Sequence, residues 1–181
     1  MRPVLIHAAG PYARAIHATA DLLGRLRIDA AFVGGVARSA WLGETVDRGA
    51  IDVLALMAAQ QKNQLAMMAS NRGFGVDKNE LEQSEELDLV PMKFLDADGD
   101  VRVHVLVASN ALYGRLVAAA KDAQLDDKTL RVPTAEDLAL LLVVGGDADA
   151  VRRLTELPGF DRGGLRQKLI SIGLGRQADA Q

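Results

Sequence analysis

The chain has 181 residues, of which 49% are hydrophobic and 25% charged, and its formal net charge is −3. This length and composition predict a single globular domain, and the weak negative charge gives no overall attraction to nucleic acid. The absence of cysteine excludes disulfides and thiolate metal sites, and the apolar run at 138–144 is far too short to span a membrane. We expect a cytoplasmic protein without a signal peptide.

The N-terminal half predicts helices that alternate with strands. An apolar face recurs every three or four residues over 11–27, which predicts a helix; its members are Tyr12, Ile16, Thr19, Leu23 and Leu26. The following elements, in chain order, are a strand at 30–33, a Gly-Gly break at 34–35, a helix at 36–42, a strand at 51–57, a helix at 61–72 and an acidic loop at 77–88.

A β-hairpin is the clearest local prediction. Leu89–Leu95 and Val101–Val107 flank a short run that contains Asp98-Gly99, and an Asp-Gly turn between β-prone runs is typical of a hairpin. Valines alternate with Arg102, His104 and Leu106 in the second run, which indicates one buried face. We expect the strands at 30–33, 51–57 and 101–107 to share one mixed sheet, with 51–57 central.

From residue 109 onward the patterns predict helices only. Thr134 precedes Ala135-Glu136-Asp137, which has the form of a capping box that opens an apolar helix to Val144. Two further helices are predicted at 149–157 and 164–172. The predicted organisation is an α/β core at 1–108, a C-terminal helical subdomain packed on it at 109–175, and a flexible tail at 176–181.

The stretch from Phe32 to Leu54 resembles the signature of the DNA polymerase β-type nucleotidyltransferase superfamily. That signature is a strand, a Gly-Gly or Gly-Ser turn that opens a helix, and Asp-hydrophobic-Asp on the next strand; here Gly34-Gly35 and Ala50-Ile51-Asp52 take those places. Val132 to Leu138 resembles the family's "Pro-Glu-Asp-Leu" helix start. The resemblance is nearest to the bacterial abortive-infection and toxin–antitoxin branch, and it implies an α/β (α+β) fold with a small mixed sheet and a C-terminal helical part.

The chemistry of such a signature is nucleotidyl transfer assisted by two Mg²⁺ ions, which need hard oxygen ligands. Alternate residues of a strand point the same way, so Asp-x-Asp places two carboxylates on one face, and a third carboxylate on a neighbouring strand completes the site. The Gly-Gly turn brings backbone N–H groups of a helix N-terminus close to a triphosphate.

This chain departs from the signature at several positions. Alanine occupies the first carboxylate position (Ala50), histidine the third (His104), and only Asp52 is kept. Val46 and Arg48 stand where an arginine and a threonine are common, and Leu142 falls near the place of a lysine. One carboxylate cannot balance two divalent ions, and neither alanine nor histidine is a good Mg²⁺ ligand.

The resemblance nevertheless defines candidate site residues, each with a structural alternative. Asp52 and His104 are the candidate catalytic residues, and a pairing of the two across adjacent strands would be a carboxylate–histidine contact. Gly34, Gly35, Arg38, Ser39 and Arg48 are candidate phosphate-binding residues, although the glycines could form a structural turn and Ser39 could be an ordinary helical serine. Asp52, Asp47 and Glu44 are candidate metal ligands, although the last two also suit a solvated loop.

Three functions remain open from sequence. The first is a degenerate nucleotidyltransferase-fold protein that binds a nucleotide or a protein partner. The second is an active enzyme that moves a nucleoside monophosphate from a nucleoside triphosphate to an RNA, protein or small acceptor with Mg²⁺; otherwise no cofactor is expected. The third is a ligand-free scaffold or regulatory module. A basic cluster from Arg152 to Lys168 is either a surface helix face or a nucleic-acid contact, and the oligomeric state stays open.

Overall fold

The computed structural model describes residues 5–84 and 88–174. The helices are α1 (Gly10–Arg25), α2 (Gly34–Leu42), α3 (Ala59–Ser70), α4 (Lys78–Gln83), α5 (Ala111–Ala118), α6 (Ala135–Gly145), α7 (Ala148–Thr155) and α8 (Arg162–Ser171). The strands are β1 (His7–Ala8), β2 (Asp29–Phe32), β3 (Thr45–Val46), β4 (Ile51–Leu56), β5 (Phe74–Gly75), β6 (Leu89–Phe94), β7 (Val101–Val107), β8 (Lys121–Leu125) and β9 (Lys128–Val132). The tail predicted at 176–181 lies outside the described residues.

A five-stranded mixed sheet with the order β2-β4-β7-β6-β5 forms the centre of the fold. Strand β4 runs antiparallel to β2 and parallel to β7, so both of its edges are hydrogen-bonded. The predicted α/β class, the shared sheet and the interior position of β4 are therefore confirmed, with β7 as the middle strand. The predicted hairpin is also confirmed, since β6 and β7 pair antiparallel around the Asp-Gly turn.

The two faces of the sheet are covered by different helices. Alternate residues of β4, namely Ile51, Val53 and Ala55, are fully buried in the main core, which also contains the predicted apolar face of α1. On the opposite face Leu54 packs with Leu116 and Val117 of α5 in a smaller cluster. Because side chains alternate along a strand, Asp52 shares this second face with Leu54.

Arg14 of α1 secures the hairpin turn. Its guanidinium donates to Asp96 at 2.7 and 2.8 Å and to Asp98 at 2.6 Å. This contact lowers the pKa of Asp96 to about 2. The turn between β6 and β7 is thus attached to the first helix as well as to its own strands.

A second hairpin corrects the prediction of helices only after residue 109. Strands β8 and β9 pair antiparallel, with Lys121 opposite Val132 at one end and Leu125 opposite Lys128 at the other. The turn between them is tight, and Asp126 in it has a φ of 53°. Alternate side chains of these strands are buried: Ala123, Leu125, Leu130 and Val132. This alternation of apolar and polar residues is a strand signal.

Two smaller features were not predicted, namely a helix within the acidic loop and a short pair of strands. Residues 78–83 form α4, whose N-cap Asp77 accepts from the backbone N–H groups of Asn79 and Glu80. Strands β1 and β3 form a short parallel pair beside α2. Residues 85–87 of the predicted acidic loop lie outside the described part of the chain. Among the described residues, no helix is long and apolar enough to cross a lipid bilayer.

Candidate functional site

Asp52 and His104 meet on the sheet face that lies opposite the main core. They are register partners on the parallel strands β4 and β7, and the Nδ1 atom of His104 lies 3.0 Å from Oδ1 of Asp52. Both side chains are about one-third exposed, at 34% and 35%. The structure therefore contains the carboxylate–histidine contact that the sequence left open.

The Gly34-Gly35 turn lies directly against this pair. The N–H of Val33 donates to the backbone carbonyl of Asp52 at 2.9 Å, which fixes the entry to the turn. Gly34 has a φ of +54°, and a Cβ atom added to it would lie only 2.9 Å from Oδ2 of Asp52. Glycine is therefore required here both by the backbone conformation and by the close approach of the carboxylate.

Helix α2 begins at this turn without a side-chain cap in the described structure, since its N-cap residue is Val33. The N–H groups in the first turn of a helix have no partner within the helix, and they favour an anion. The first two residues of the helix line a cavity of about 630 Å³. Its lining comprises Gly34, Gly35, Arg38, Glu44, Thr45, Val46, Asp47, Arg48 and Leu142.

Arg38 and Glu44 on the cavity wall belong to an ion-pair cluster that joins α2 to α7. Arg38 donates to both carboxylate oxygens of Glu44, at 2.8 and 3.0 Å, and to Asp147 at 2.5 Å. Arg153 donates to Glu44 at 2.6 Å. The hydrogen bonds from Arg38, and to a smaller extent that from Arg153, hold the pKa of Glu44 below its ordinary value of 4.5. These side chains are engaged with each other, which limits Arg38 as a phosphate ligand and Glu44 as a metal ligand.

Ser39 has a different role from the predicted phosphate contact. It is fully buried, and its Oγ accepts from the N–H of His7 at 2.7 Å and donates to the carbonyl of the same residue at 3.2 Å. Its hydroxyl therefore holds β1 against α2 and does not reach the cavity. Arg48 does line the cavity, and its side chain is 93% exposed, with Asp47 at 3.8 Å.

The residues at the family's metal position do not fit two Mg²⁺ ions. Ala50 offers no ligand atom, and the carboxylate of Asp52 is engaged by Nδ1 of His104. Asp47 lies on the exposed loop beside Arg48. Within the described residues, no group of three or more histidine, aspartate or glutamate side chains could hold a metal ion. We therefore derive no metal-assisted step for this site.

Sequence reasoning missed an apolar cleft on the other side of Gly34. This cleft, of about 400 Å³, is lined by Val33, Gly34, Asp52, Leu54, Leu89, His104, Leu106, Tyr113, Leu138, Leu141 and Leu142. Its leucines come from four separate elements, β4, β6, β7 and α6, so no local sequence motif indicates the cleft. Gly34 and Leu142 line both the cleft and the polar cavity, which meet there.

Three members of the basic C-terminal cluster pair with carboxylates, and one of them, Arg152, contacts Glu156 at 3.1 Å on the surface. Arg153 binds Glu44, as described above. Lys168 of α8 binds Asp137, which is buried at the start of α6 and also accepts from the hydroxyl of Thr134 at 2.9 Å. These contacts favour the structural interpretation of Arg153 and Lys168.

Solved structures of other proteins share this architecture. A nucleotidyltransferase-like antigenic protein from Paracoccidioides brasiliensis superposes with a TM-score of 0.53 at 15% identity, over 92% of this chain and 88% of its own. ANT(2")-Ia in complex with adenylyl-2"-tobramycin gives a TM-score of 0.60 at 16% identity, over 88% of this chain and 97% of its own. This chain has the nucleotidyltransferase fold.

A third structure with this fold is the lincosamide antibiotic adenylyltransferase LnuA with bound lincomycin. Its TM-score is 0.53 at 13% identity, and the match covers 80% of this chain and 97% of that one. No protein-family model matches the chain, and no curated protein matches it by sequence. At these identities the likeness establishes the nucleotidyltransferase fold alone. Any activity has to be inferred from the residues of the site.

Proposed function

We propose that this chain is a degenerate nucleotidyltransferase-fold protein that binds a nucleotide by its phosphates and does not transfer it. The observation that carries the proposal is the uncapped N-terminus of α2, which opens at Gly34-Gly35 onto a cavity of nucleotide size. Backbone N–H groups and the helix dipole keep their affinity for anions when carboxylate side chains are lost.

Charges around the cavity support binding without a metal. Exposed Arg48 is available to approach a phosphate, whereas Arg38 is held by Glu44 and Asp147. The loss of a carboxylate at Ala50 removes repulsion that a metal-free phosphate would otherwise meet. Since no ion bridges the phosphates, the expected dissociation constant is about 0.1–1 mM.

Nuclear magnetic resonance (NMR) titration of the full chain with ATP, GTP, CTP and UTP in excess EDTA tests this proposal. We expect shifts of the backbone amides from Gly34 to Ser39 with every nucleotide, and none with adenosine, which has no phosphate. If millimolar nucleotide leaves these amides unmoved, phosphate binding is refuted, and a protein partner or a scaffold role takes its place.

Transfer is tested by incorporation of labelled nucleotide into RNA and protein acceptors with Mg²⁺ or Mn²⁺. We expect none, because Ala50 and His104 stand at two carboxylate positions. Incorporation that disappears in Asp52→Ala would favour the active enzyme, with carboxylates elsewhere completing the site. The likeness to the toxin–antitoxin branch remains a prediction, since the solved neighbours do not address it.

A further inference from the structure

A third space in the fold lies between α5 and α8, and we call it the helix cavity. Its volume is about 580 Å³, and none of the described residues that line it also lines the polar cavity or the apolar cleft. Residues at i, i+3, i+4 and i+7 share one face of a helix, so the cavity is bounded by two helix faces. One such set comes from α5 with its C-cap and one from α8, namely Leu112, Arg115, Leu116 and Ala119, and Gly164, Gln167, Lys168 and Ser171.

The two faces of the helix cavity differ in polarity. On the α5 side, Leu112 and Leu116 with Ala118 and Ala119 form an apolar wall that only Arg115 interrupts. On the α8 side, the lining residues after the glycine are a glutamine, a lysine and a serine. A ligand that covers both faces is therefore amphipathic, and its apolar body lies against α5.

The charges that line the helix cavity are not balanced. The side chain of Asp137 is only 6% exposed, and it accepts hydrogen bonds from the hydroxyl of Thr134 at 2.9 Å and from the ammonium of Lys168. Arg115 is exposed, and its guanidinium has no hydrogen-bonding or ionic partner in the part of the chain that the structure describes. Because arginine stays charged and its planar N–H groups match a carboxylate, the cavity favours an anion.

We propose that the helix cavity binds a small monocarboxylate with an apolar body. The carboxylate pairs with Arg115, and the apolar body lies on Leu112 and Leu116. Since Asp137 already neutralises Lys168, a single negative charge matches the charges of the lining. The inference does not depend on nucleotide binding, because this cavity and the polar cavity share no described lining residue.

The test compares two probes of nearly equal size, phenylbutyrate and phenylbutanamide, of which only the first carries a charge. We expect phenylbutyrate to bind about tenfold more tightly, as a hydrogen bond between charged groups provides. NMR titration of the full chain at millimolar probe should move the backbone amides of 112–119 and 164–171. Inorganic phosphate, an anion without an apolar body, should leave those amides unmoved at the same concentration.

Two pairs of variants locate the probe. Arg115→Gln should weaken phenylbutyrate about tenfold and leave phenylbutanamide unchanged, whereas Arg102→Gln, at an exposed position of β7 outside the lining, should change neither. Ala118→Trp places an indole in the helix cavity and should weaken both probes about tenfold. Ala111→Trp, at the exposed first position of the same helix and outside the lining, should leave both unchanged.

Three results would each overturn the proposal in variants whose circular dichroism matches that of the wild type. They are equal affinity for the two probes, unaltered phenylbutyrate binding in Arg115→Gln or Ala118→Trp, and equal shifts of the cavity amides with inorganic phosphate. Nucleotide binding is read separately at the amides from Gly34 to Ser39, so either proposal can fail alone.

Discussion

At the scale of single residues, Gly34 carries the tightest steric constraint of the site. Its φ of +54° is unfavourable for any residue with a Cβ atom, and that atom would meet Oδ2 of Asp52 at 2.9 Å. We expect Gly34→Ala to lower the free energy of unfolding by about 1–3 kcal/mol. Urea denaturation followed by circular dichroism measures this change.

Gly35→Ala is the matched control, because the next residue lies within α2 and its added Cβ would meet only Cγ1 of Val46 at 3.9 Å. Alanine is the better helix former, so this variant should be neutral or more stable by up to about 1 kcal/mol. Equal losses in the two variants would show that the approach of Asp52 imposes no special constraint.

The residues of the site differ in how far the sequence could predict them. A contact between Asp52 and His104 could be considered from the sequence because each falls at a fixed place in the strand pattern. The parallel register of β4 and β7 is what brings the two side chains together. The hydrogen bonds of Ser39 could not be predicted, because they depend on His7, which is thirty-two positions away in the chain. The partners of Arg38 were missed for the same reason, since Asp147 approaches only after α7 has packed against α2.

At the scale of elements, the start of α6 depends on Thr134. Its hydroxyl oxygen accepts from the N–H of Asp137 at 3.1 Å and its hydroxyl proton goes to the buried carboxylate of the same residue. We expect Thr134→Ala to cost about 1–2 kcal/mol in the free energy of unfolding, and Thr134→Ser to recover most of it. Urea denaturation again provides the measurement.

Thr155→Ala is the matched control for Thr134→Ala. Thr155 lies at the end of α7, where its hydroxyl donates to the exposed carbonyl of Arg152. Its effect should stay within about 0.5 kcal/mol. A loss at Thr134 no larger than that at Thr155 would contradict the assigned capping role.

Elements were predicted best where a local pattern determines them. Helix α1 follows from its apolar spacing, the β6–β7 hairpin from its Asp-Gly turn, and the start of α6 from Thr134. The β8–β9 hairpin was missed although its apolar side chains alternate, because its turn at Asp126-Asp127 has no glycine. In the structure the two strands are recognised because they pair with each other. The alternation of apolar residues, in a part of the chain where helices dominate, did not by itself indicate a hairpin.

The ion-pair cluster between α2 and α7 predicts a pH dependence. The pKa of Glu44 is lowered in the folded chain by Arg38 and Arg153, so its stabilisation is complete above the ordinary value of 4.5 and is lost as the pH falls through the lower folded pKa. We expect Glu44→Gln to cost about 1–2 kcal/mol near neutral pH, and this difference from the wild type to disappear in acid. Thermal unfolding across pH measures it.

Glu156→Gln is the control for this effect, because Glu156 pairs with Arg152 on the surface and is 58% exposed. This substitution should lower the free energy of unfolding by less than about 0.5 kcal/mol at any pH. A difference for Glu44→Gln that persists unchanged below the folded pKa would show that the carboxylate charge is not what stabilises the junction.

At the scale of the whole molecule, the fold brings two unlike spaces together at Gly34 and Leu142. The polar cavity faces the N-terminus of α2, and the apolar cleft faces β4, β7, α5 and α6. The shared sheet of β2, β4 and β7 could be predicted from the family resemblance together with the hairpin signal, whereas the edge strand β5 was not predicted. The apolar cleft could not be predicted, because it is created by the packing of α5 and α6 over the sheet face that carries Asp52 and His104.

The most direct measurement for the central claim is ATP binding by the wild type and Asp52→Asn, each with excess EDTA and with Mg²⁺. Asparagine can still accept from Nδ1 of His104, but it removes a negative charge beside Gly34. We predict binding in EDTA, strengthened in Asp52→Asn by about threefold to tenfold as repulsion is relieved. Binding that requires Mg²⁺ and is abolished by Asp52→Asn would contradict the account and identify Asp52 as a metal ligand.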